Sequence, residues 1–195
     1  MQAQGLNLSY KWMRNGVVVN GGTSAYLPVG SLQSGTYTVA VSNGFATVLS
    51  EEIQFSEPTF TDLFAFVTGG TLPASSQLGA VPVDTFYIGK TEVTWGEWQK
   101  VRTWAVEHGY DDLAGVGQGV GDNYPVTHVN WYDVVKWCNA RSEKEGKTPV
   151  YNNGTDPYRT GEVMDPQIIS SANGYRLPTE KEWEWAARGG TQTAV

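Results

Sequence analysis

The stretch that decides the fold reads YRLPTEKEWEWAARGG, residues 175–190. Thr179 and Glu182 have the spacing of a capping box, in which each side chain accepts a hydrogen bond from the other residue's backbone N–H. Gly189-Gly190 supplies the left-handed stop that ends many helices. The stretch therefore predicts a short, well-capped helix. Helical spacing predicts an inward face made of Trp183, Ala186 and Ala187.

Two earlier segments carry the same kind of start signal. Thr94 with Glu97 predicts a helix, and Asn130 with Asp133 predicts another that stops at Gly146. The predicted inward side chains are Trp95, Trp98, Val101 and Ala105 in the first, and Trp131, Val134 or Val135, and Cys138 in the second. Turn residues around 149–161 predict a hairpin insertion before the last helix.

Four segments, in this order along the chain, resemble the formylglycine-generating enzyme family, also called the sulfatase-modifying factors. They are FAFVTGGTL (64–72), TFYIGKTEVTWGEWQKV (85–101), DNYPVTHVNWYDVVKWCNA (122–140) and the stretch above. The resemblance implies an α+β, C-type-lectin-like fold with much irregular structure over residues 63–195. It also implies an activity, the oxidation of a sulfatase cysteine to formylglycine by copper held between two cysteines, together with calcium-binding loops.

The family's copper and calcium sites lie beyond the segment that matches Ala186–Gly190, so residues 63–195 are expected to be the N-terminal half of such a domain. We therefore expect no catalytic, cofactor-binding or metal-binding residue in this chain, and no formylglycine-generating activity from it. Two functions stay open for the whole protein. It is either a protein-modifying oxidase or a non-catalytic, secreted or cell-surface binding module on the same scaffold.

The first part of the chain has a different composition. No Asp, Glu, Lys or Arg occurs between Asn15 and Ser50, and the residues after Ser56 carry the whole net charge of −7. Alternating apolar residues, with hairpin turns at Asn15-Gly16 and Asn43-Gly44, predict β-strands. Residues 1–56 resemble the rear part of an immunoglobulin-like sandwich, with residues 57–62 as a linker. A free-standing β-meander is the alternative.

That resemblance depends on two aromatic residues. Trp12 matches the core tryptophan of the third strand, and Tyr37 matches the tyrosine corner. Because Trp12 comes so early, the first two strands of the sandwich are expected to be missing. The protein is therefore expected to be a bacterial fragment cut at both ends, extracellular or periplasmic because immunoglobulin-like domains usually are, although the sequence shows no signal peptide.

The bulk properties exclude some partners. An acidic chain without a run of basic residues has no positively charged surface that could bind along a phosphate backbone, so nucleic acid is a poor partner. Glycines and prolines interrupt every apolar run well before ~18 residues, so membrane insertion is not expected. The partners that remain are a sulfatase or another protein substrate, and a carbohydrate or cell-surface ligand.

The candidate reactive residues have structural explanations. Cys138 is expected to be a buried structural cysteine on a helix face. His108 and His128 lack a second ligand at metal-binding spacing. The loop residues Asp111, Asp112, Asp122 and Asn123 could together bind a hard cation such as calcium, but their spacing matches no EF-hand pattern. Most of the eight tryptophans are expected in the core. Trp104 and Trp185 lie off the predicted inward faces and are candidates for surface or carbohydrate contacts.

Overall fold

A computed structural model describes residues 8–27, 33–56 and 59–192. The chain divides into two compact units, Met1–Thr59 and Phe60–Val195. The described part of the first unit is all β, and the second unit mixes helices with short strands. Helix α1 (Phe60–Leu63) begins inside the 57–62 range that the sequence assigned to a linker.

The first unit contains one antiparallel sheet within its described residues. Its strands are β1 (Ser9–Arg14), β2 (Val17–Val18), β3 (Gly35–Ser42), β4 (Thr47–Leu49) and β5 (Ile53–Phe55). The order is β2-β1-β3-β4, and β5 also pairs with β3. The predicted hairpin at Asn15-Gly16 is confirmed, because both residues have positive φ (49° and 77°) as a type I′ turn requires.

Tyr37 has the local geometry of a tyrosine corner. Its side chain is buried, and its hydroxyl donates to the backbone O of Gln33 (2.9 Å) while accepting from the N of Gln33 (3.0 Å). Trp12 is half-buried and donates its indole N–H to the O of Ser24 (2.9 Å). An immunoglobulin-like sandwich needs two packed sheets. The described strands form one, so the sandwich stays a prediction.

The second unit is built on helices α2 (Trp95–Val106), α3 (Trp131–Lys144) and α4 (Glu180–Ala187). Its strands are β6 (Phe64–Val67), β7 (Gly70–Thr71), β8 (Pro82–Val83), β9 (Phe86–Gly89), β10 (Tyr151–Asn153), β11 (Asp156–Pro157) and β12 (Gln167–Ile168). Strand β6 pairs with β9, β7 with β8, and β10 with both β11 and β12. The predicted hairpin insertion is confirmed as β10–β11. No helix in the described ranges has the length and apolar character to cross a bilayer.

All three predicted capping boxes are confirmed. In α3, Asn130 Oδ1 accepts from Asp133 N and Asp133 Oδ2 accepts from Asn130 N, both at 2.9 Å. Thr94 with Glu97 and Thr179 with Glu182 make the same reciprocal pair at α2 and α4. Each cap accepts hydrogen bonds from backbone N–H groups that have no partner within the helix. Each cap therefore contributes about 1 kcal/mol to the stability of its helix.

The main core lies between α2 and α3. The indoles of Trp98 and Trp137 stack with centroids 5.4 Å apart and planes within 2°. A glycine-rich loop closes over this region, and a Cβ added at Gly119 would lie only 2.4 Å from the ring of Trp95. Glycine is therefore required there by close approach. The fully buried cluster comprises Trp98, Val101, Ala105, Tyr110, Leu113, Val135, Trp137, Cys138, Ala140, Val150, Tyr151 and Tyr158.

The predicted inward face of α4 is wrong. Trp183 is 64% exposed, whereas Trp185, expected at the surface, is 4% exposed and packs with Leu72 and Val83. The helix instead buries Glu182 and Trp185, three residues apart. A pattern based on apolar residues alone could not predict this face, because one of its two buried residues, Glu182, carries a carboxylate. The contact is tight, since a Cβ at Gly70 would lie 2.4 Å from the Trp185 ring.

Two other tryptophans also differ from expectation. Trp131, predicted to point inward, is 44% exposed, and its ring lies edge-on against Tyr132 at 5.4 Å. It is the first residue of α3, and the turn on which a helical side chain packs is absent there. Trp104, a surface candidate, is half-buried and packs against the main core. The predicted burial of Val135 and Cys138 is confirmed.

Candidate functional site

The β6–β9 pair presents aromatic rings to solvent. In the antiparallel register Phe66 lies directly opposite Tyr87, and Phe64 points to the same face because side chains alternate along a strand. The opposite face carries Val67 and Phe86, which pack on the Leu72–Val83–Trp185 cluster. The ribbon is therefore anchored through one face and leaves its aromatic face open.

Helix α1 adds a third exposed ring to this face. Phe60 lies edge-on to Tyr87 (5.0 Å), and Tyr87 lies edge-on to Phe66 (5.2 Å). Phe60, Phe66 and Tyr87 are 40%, 59% and 54% exposed, and we call these three residues the aromatic surface. Rings in mutual contact rarely stay this exposed without a partner, since each could bury 150–250 Å².

A buried arginine supports the aromatic surface from below. Phe60 stacks on Phe64 (4.6 Å), and Phe64 stacks on Tyr175 (5.5 Å). The guanidinium of Arg141 lies 4.4 Å from the Tyr175 ring and 5.2 Å from the Phe64 ring, and its Nε donates to Glu145 Oε1 (3.0 Å). Cation–π contacts of this kind hold the rings in place.

The hydroxyl of Tyr175 donates to the Glu145 carboxylate. Burial first, and then this hydrogen bond, raise the pKa of Tyr175 to about 12, while the nearby Arg141 opposes the rise. Tyr175 therefore stays protonated throughout the physiological range. The tyrosine that opens the YRLPTE stretch is thus a fixed neutral support for the aromatic surface.

The environment of Cys138 disfavours the reactive thiolate. The residue is 6% exposed on α3, and burial raises the pKa of its thiol to about 12, with Arg141 acting weakly in the opposite direction. A thiol attacks and binds metals as thiolate, which is essentially absent at neutral pH when the pKa is this high. The expectation of a buried cysteine is confirmed.

The histidines have packing contacts of their own. His108 stacks on Trp104 (3.8 Å) and its Nδ1 lies 2.7 Å from the Trp104 carbonyl, to which it must donate because a carbonyl only accepts. His128 has a positive φ of 56° and its Nδ1 lies 3.0 Å from the Thr127 hydroxyl. Neither contact brings a second metal ligand.

The acidic loop residues do not gather around a common point. Asp112 accepts from the buried ammonium of Lys136 (2.9 Å), and this bond lowers the pKa of the carboxyl. The backbone O of Asp122 accepts instead from Gly96 N at the start of α2 (2.9 Å). Within residues 8–27, 33–56 and 59–192, no three His, Cys, Asp or Glu side chains are close enough to hold a metal ion.

A family model described as "Sulfatase-modifying factor enzyme 1-like domain" matches residues 17–195. The chain belongs to this family. The match includes the four segments quoted above and also begins inside the first unit, at the start of β2. The mixed helices and short strands of the second unit agree with this assignment.

Two relatives of this sulfatase-modifying factor chain are informative. One is "Chaperone protein LppX" from Paenibacillus barcinonensis, 38% identical over 145 residues, which cover 69% of this chain and 48% of the relative. The other is a solved structure titled "Crystal Structure of CarF", 28% identical with a TM-score of 0.57, covering 65% of this chain and 56% of that one. The chain therefore spans about half the length of the relatives it matches.

The copper that the family resemblance implies does not fit the residues described here. A copper site of that kind needs two thiolates, and this chain has one cysteine, whose thiol is sealed in the core and held protonated. For calcium, no three Asp, Glu, His or Cys side chains come close enough to hold the ion within the part of the chain that the structure describes. No chemical step through either metal can be assigned to this chain.

Sequence reasoning missed the aromatic surface. Phe66 and Tyr87 lie in segments quoted for the family, but their pairing joins residues 21 positions apart, which no local pattern shows. The available signal was the alternation Phe64-Ala65-Phe66 in FAFV, since two aromatic residues at i and i+2 share one face of a strand.

Proposed function

We propose that this sulfatase-modifying factor protein binds polypeptides, and that an extended segment of the partner lies on the aromatic surface. The observation that carries the proposal is the set of three touching, exposed rings of Phe60, Phe66 and Tyr87 on an anchored ribbon. Aromatic side chains are enriched in protein-binding sites because they bury large areas at a small cost in conformational entropy.

The spacing of the rings suits an extended chain. Alternate side chains of a strand on one face are about 6.8 Å apart, and neighbouring ring centroids on the aromatic surface are 5.0 and 5.2 Å apart. Two apolar side chains at i and i+2 of a partner can therefore each contact a different pair of rings. The rigid support from Phe64, Tyr175 and Arg141 reduces the ordering cost of binding.

The comparisons favour a polypeptide over other ligands. The family resemblance implies a protein substrate, a sulfatase that presents a cysteine, and one relative carries the name of a chaperone. Both roles require recognition of a partly unfolded chain, so the proposal applies to either. If the whole protein is an oxidase, the partner that we propose is a sulfatase. If it is a chaperone, the partner that we propose is an unfolded secreted protein.

The experiment is a binding titration with fluorescently labelled peptides, one from a cysteine-containing sulfatase motif and one from a permanently unfolded protein. Phe66→Ser and Tyr87→Ser should each weaken binding by roughly 10-fold or more, as expected for loss of an aromatic anchor. The matched control is Met164→Ser, an 86% exposed apolar side chain outside the aromatic surface. Equal affinities for all variants would contradict the proposal.

We propose oxidation of a sulfatase cysteine as the catalytic role of the whole protein, and this role is tested separately. That chemistry would depend on residues outside this chain, because Cys138 is buried and protonated. In air-saturated buffer with a thiol reductant, full-length protein loaded with copper should convert the cysteine of the sulfatase peptide to an aldehyde that a hydrazide probe captures. The cysteine loses two electrons and its sulfur leaves as hydrogen sulfide, while molecular oxygen takes these two electrons and two more from the reductant. The Cys138→Ser variant should form as much aldehyde as the unchanged protein.

Exposed indoles give a second candidate function, carbohydrate binding. Trp183 and Trp131 are 64% and 44% exposed, and flat rings of this kind can stack on sugar faces. The earlier candidate Trp185 is buried and is excluded. Tryptophan fluorescence titrated with a set of oligosaccharides tests this role, because sugar stacking on either indole should quench emission and the Trp183→Ala variant should respond less.

For the first unit we propose an immunoglobulin-like spacer in a protein located outside the cytoplasm, extracellular or periplasmic, in a bacterium. The antiparallel sheet and the tyrosine corner at Tyr37 support this proposal. Fractionation of cells that express the full-length protein, with protease added to intact cells, tests its location. Retention in the cytoplasmic fraction would contradict it.

A further inference from the structure

Two hairpins of the chain have the same kind of turn, with asparagine at the first position and glycine at the second. One turn, residues 43–46, joins β3 to β4, and the other, residues 153–156, joins β10 to β11. In each turn the first residue pairs with the fourth, and the glycine has a positive φ, 86° at Gly44 and 65° at Gly154. The two asparagines, Asn43 and Asn153, therefore occupy equivalent backbone positions.

Hydrogen bonds surround the side-chain amide of Asn43 in a particular way. Its Oδ1 accepts from Phe45 N (3.0 Å) and from Ala46 N (2.9 Å). The N–H of Gly44 donates to Ser42 Oγ (3.2 Å). Two N–H donors on a carbonyl oxygen stabilise the negative charge that forms there when a nucleophile attacks the carbon. A hydroxyl oxygen beside the attacking N–H can take up its proton.

We propose that Asn43 is a site of self-modification, at which the chain converts its own side-chain amide into a carboxylate. Gly44 N forms a bond to Asn43 Cγ while the bond from Cγ to Nδ2 breaks. The proton of Gly44 N passes by way of Ser42 Oγ and water to Nδ2, which leaves as ammonia. Water then opens the succinimide ring at either of its carbonyl carbons and gives aspartate or isoaspartate. No oxidant or reductant takes part.

The surface position of the turn leaves room for both steps. Asn43 and Gly44 are exposed, and a Cβ added at Gly44 would meet nothing within 4 Å. The product carries a new negative charge in a stretch, residues 15–50, that has no Asp, Glu, Lys or Arg. Isoaspartate also lengthens the main chain by one carbon, which disturbs the pairing of Asn43 with Ala46. This change belongs to the first unit and is independent of polypeptide binding by the second.

The other Asn-Gly pairs of the chain serve as internal controls, and their asparagines are Asn15, Asn20, Asn153 and Asn173. Oδ1 accepts from a single backbone N–H in Asn15 and in Asn173, both at 2.9 Å. Within the described ranges no hydrogen bond holds the side chain of Asn153. Because its turn has the same form as that of Asn43, Asn153 is the matched control for the hydrogen bonds around the amide.

The test is peptide mapping by mass spectrometry of the full chain, stored folded at neutral pH. The mass increase from amide to acid should appear at least about 5-fold faster at Asn43 than at Asn153, a small part of what such contacts contribute in a closed active site. In urea the two rates should become similar, because the turn that sets the hydrogen bonds is lost. Equal rates in the folded chain, or an unchanged preference for Asn43 in urea, would overturn the proposal.

A substitution tests the part played by the hydroxyl. Ser42→Ala should slow the conversion of Asn43 several-fold and leave the rate at Asn153 unchanged. The matched control is Thr47→Ala, which removes the hydroxyl of the residue opposite Ser42 in the β3–β4 register and should leave both rates unchanged. The same rate at Asn43 in the unchanged chain and in both variants would refute the mechanism.

Discussion

Replacing Glu182 by Gln should weaken the α4 region by removing a single charge. Glu182 is 6% exposed and makes a bidentate pair with Arg176, with both N–O distances at 2.7 Å. This hydrogen-bonded pairing is the largest of the effects that hold the pKa of Glu182 at about 2, below its ordinary 4.5. Glutamine can keep one oxygen on Thr179, but its NH2 group replaces the other oxygen that accepts from Arg176, so the substitution removes the charge and one hydrogen bond of the pair.

The pKa fixes the magnitude and its pH dependence. The fall in the pKa of Glu182 from 4.5 to about 2, at ~1.4 kcal/mol for each unit of pKa, gives an upper limit of ~3.5 kcal/mol. The Arg176 side chain is 37% exposed and water screens the pair, so we expect about 1–2 kcal/mol. Because the folded-state pKa is lowered, this stabilisation is complete above the ordinary pKa of 4.5 and is lost as the pH falls towards 2.

Urea unfolding followed by tryptophan fluorescence measures this effect, since Trp185 lies one turn from Glu182. The difference in unfolding free energy between the unchanged chain and Glu182→Gln should be about 1–2 kcal/mol at pH 7 and should largely vanish by pH 2.5. The matched control is Glu180→Gln in the same turn, whose exposed carboxylate should contribute about 0.5 kcal/mol or less. A loss independent of pH would refute the reasoning.

Three further predictions concern the core. Cys138 should react with a thiol reagent far more slowly in the folded chain than in urea, because burial raises its pKa to about 12; equal rates would contradict its burial. Trp185→Ala should lower the free energy of unfolding in urea by about 3–5 kcal/mol, and Trp183→Ala should lower it by less than about 1 kcal/mol. The reverse order would mean that Trp183, as first predicted, lies on the buried face of α4. Gly70→Ala should cost about 1–3 kcal/mol, as its Cβ would lie 2.4 Å from the Trp185 ring. Gly121→Ala, whose Cβ would meet the exposed Tyr124 ring at 3.2 Å, should cost less, and equal melting temperatures would contradict the tight packing.

Local signals in the sequence predicted the local structure well. The three capping boxes, the Asn15-Gly16 turn and the β10–β11 hairpin each depend on residues within four positions of one another. Their geometry is set by backbone sterics and short-range hydrogen bonds, which the sequence displays directly. The ordered family segments extended this to the assignment of the second unit, which the family model confirms.

What the sequence could not show depends on contacts between distant segments. The buried face of α4 is set by Gly70, Leu72 and Val83, more than 100 residues earlier, and includes the carboxylate of Glu182. Arg141 reads as a surface residue at the end of a helix, but it is 8% exposed beneath Phe64 and Tyr175. A pattern based on apolar spacing cannot predict the burial of charged residues that are paired in the interior.

Site-specific photo-crosslinking shows directly whether the aromatic surface contacts a bound polypeptide. Benzoylphenylalanine, a photo-crosslinking amino acid that keeps an aromatic ring, replaces Tyr87 in one variant and Tyr124 in another, at positions that are 54% and 59% exposed. Each variant is irradiated with an unfolded polypeptide. We expect a strong cross-link from position 87 and little from position 124. Equal yields, or a stronger cross-link from position 124, would contradict it.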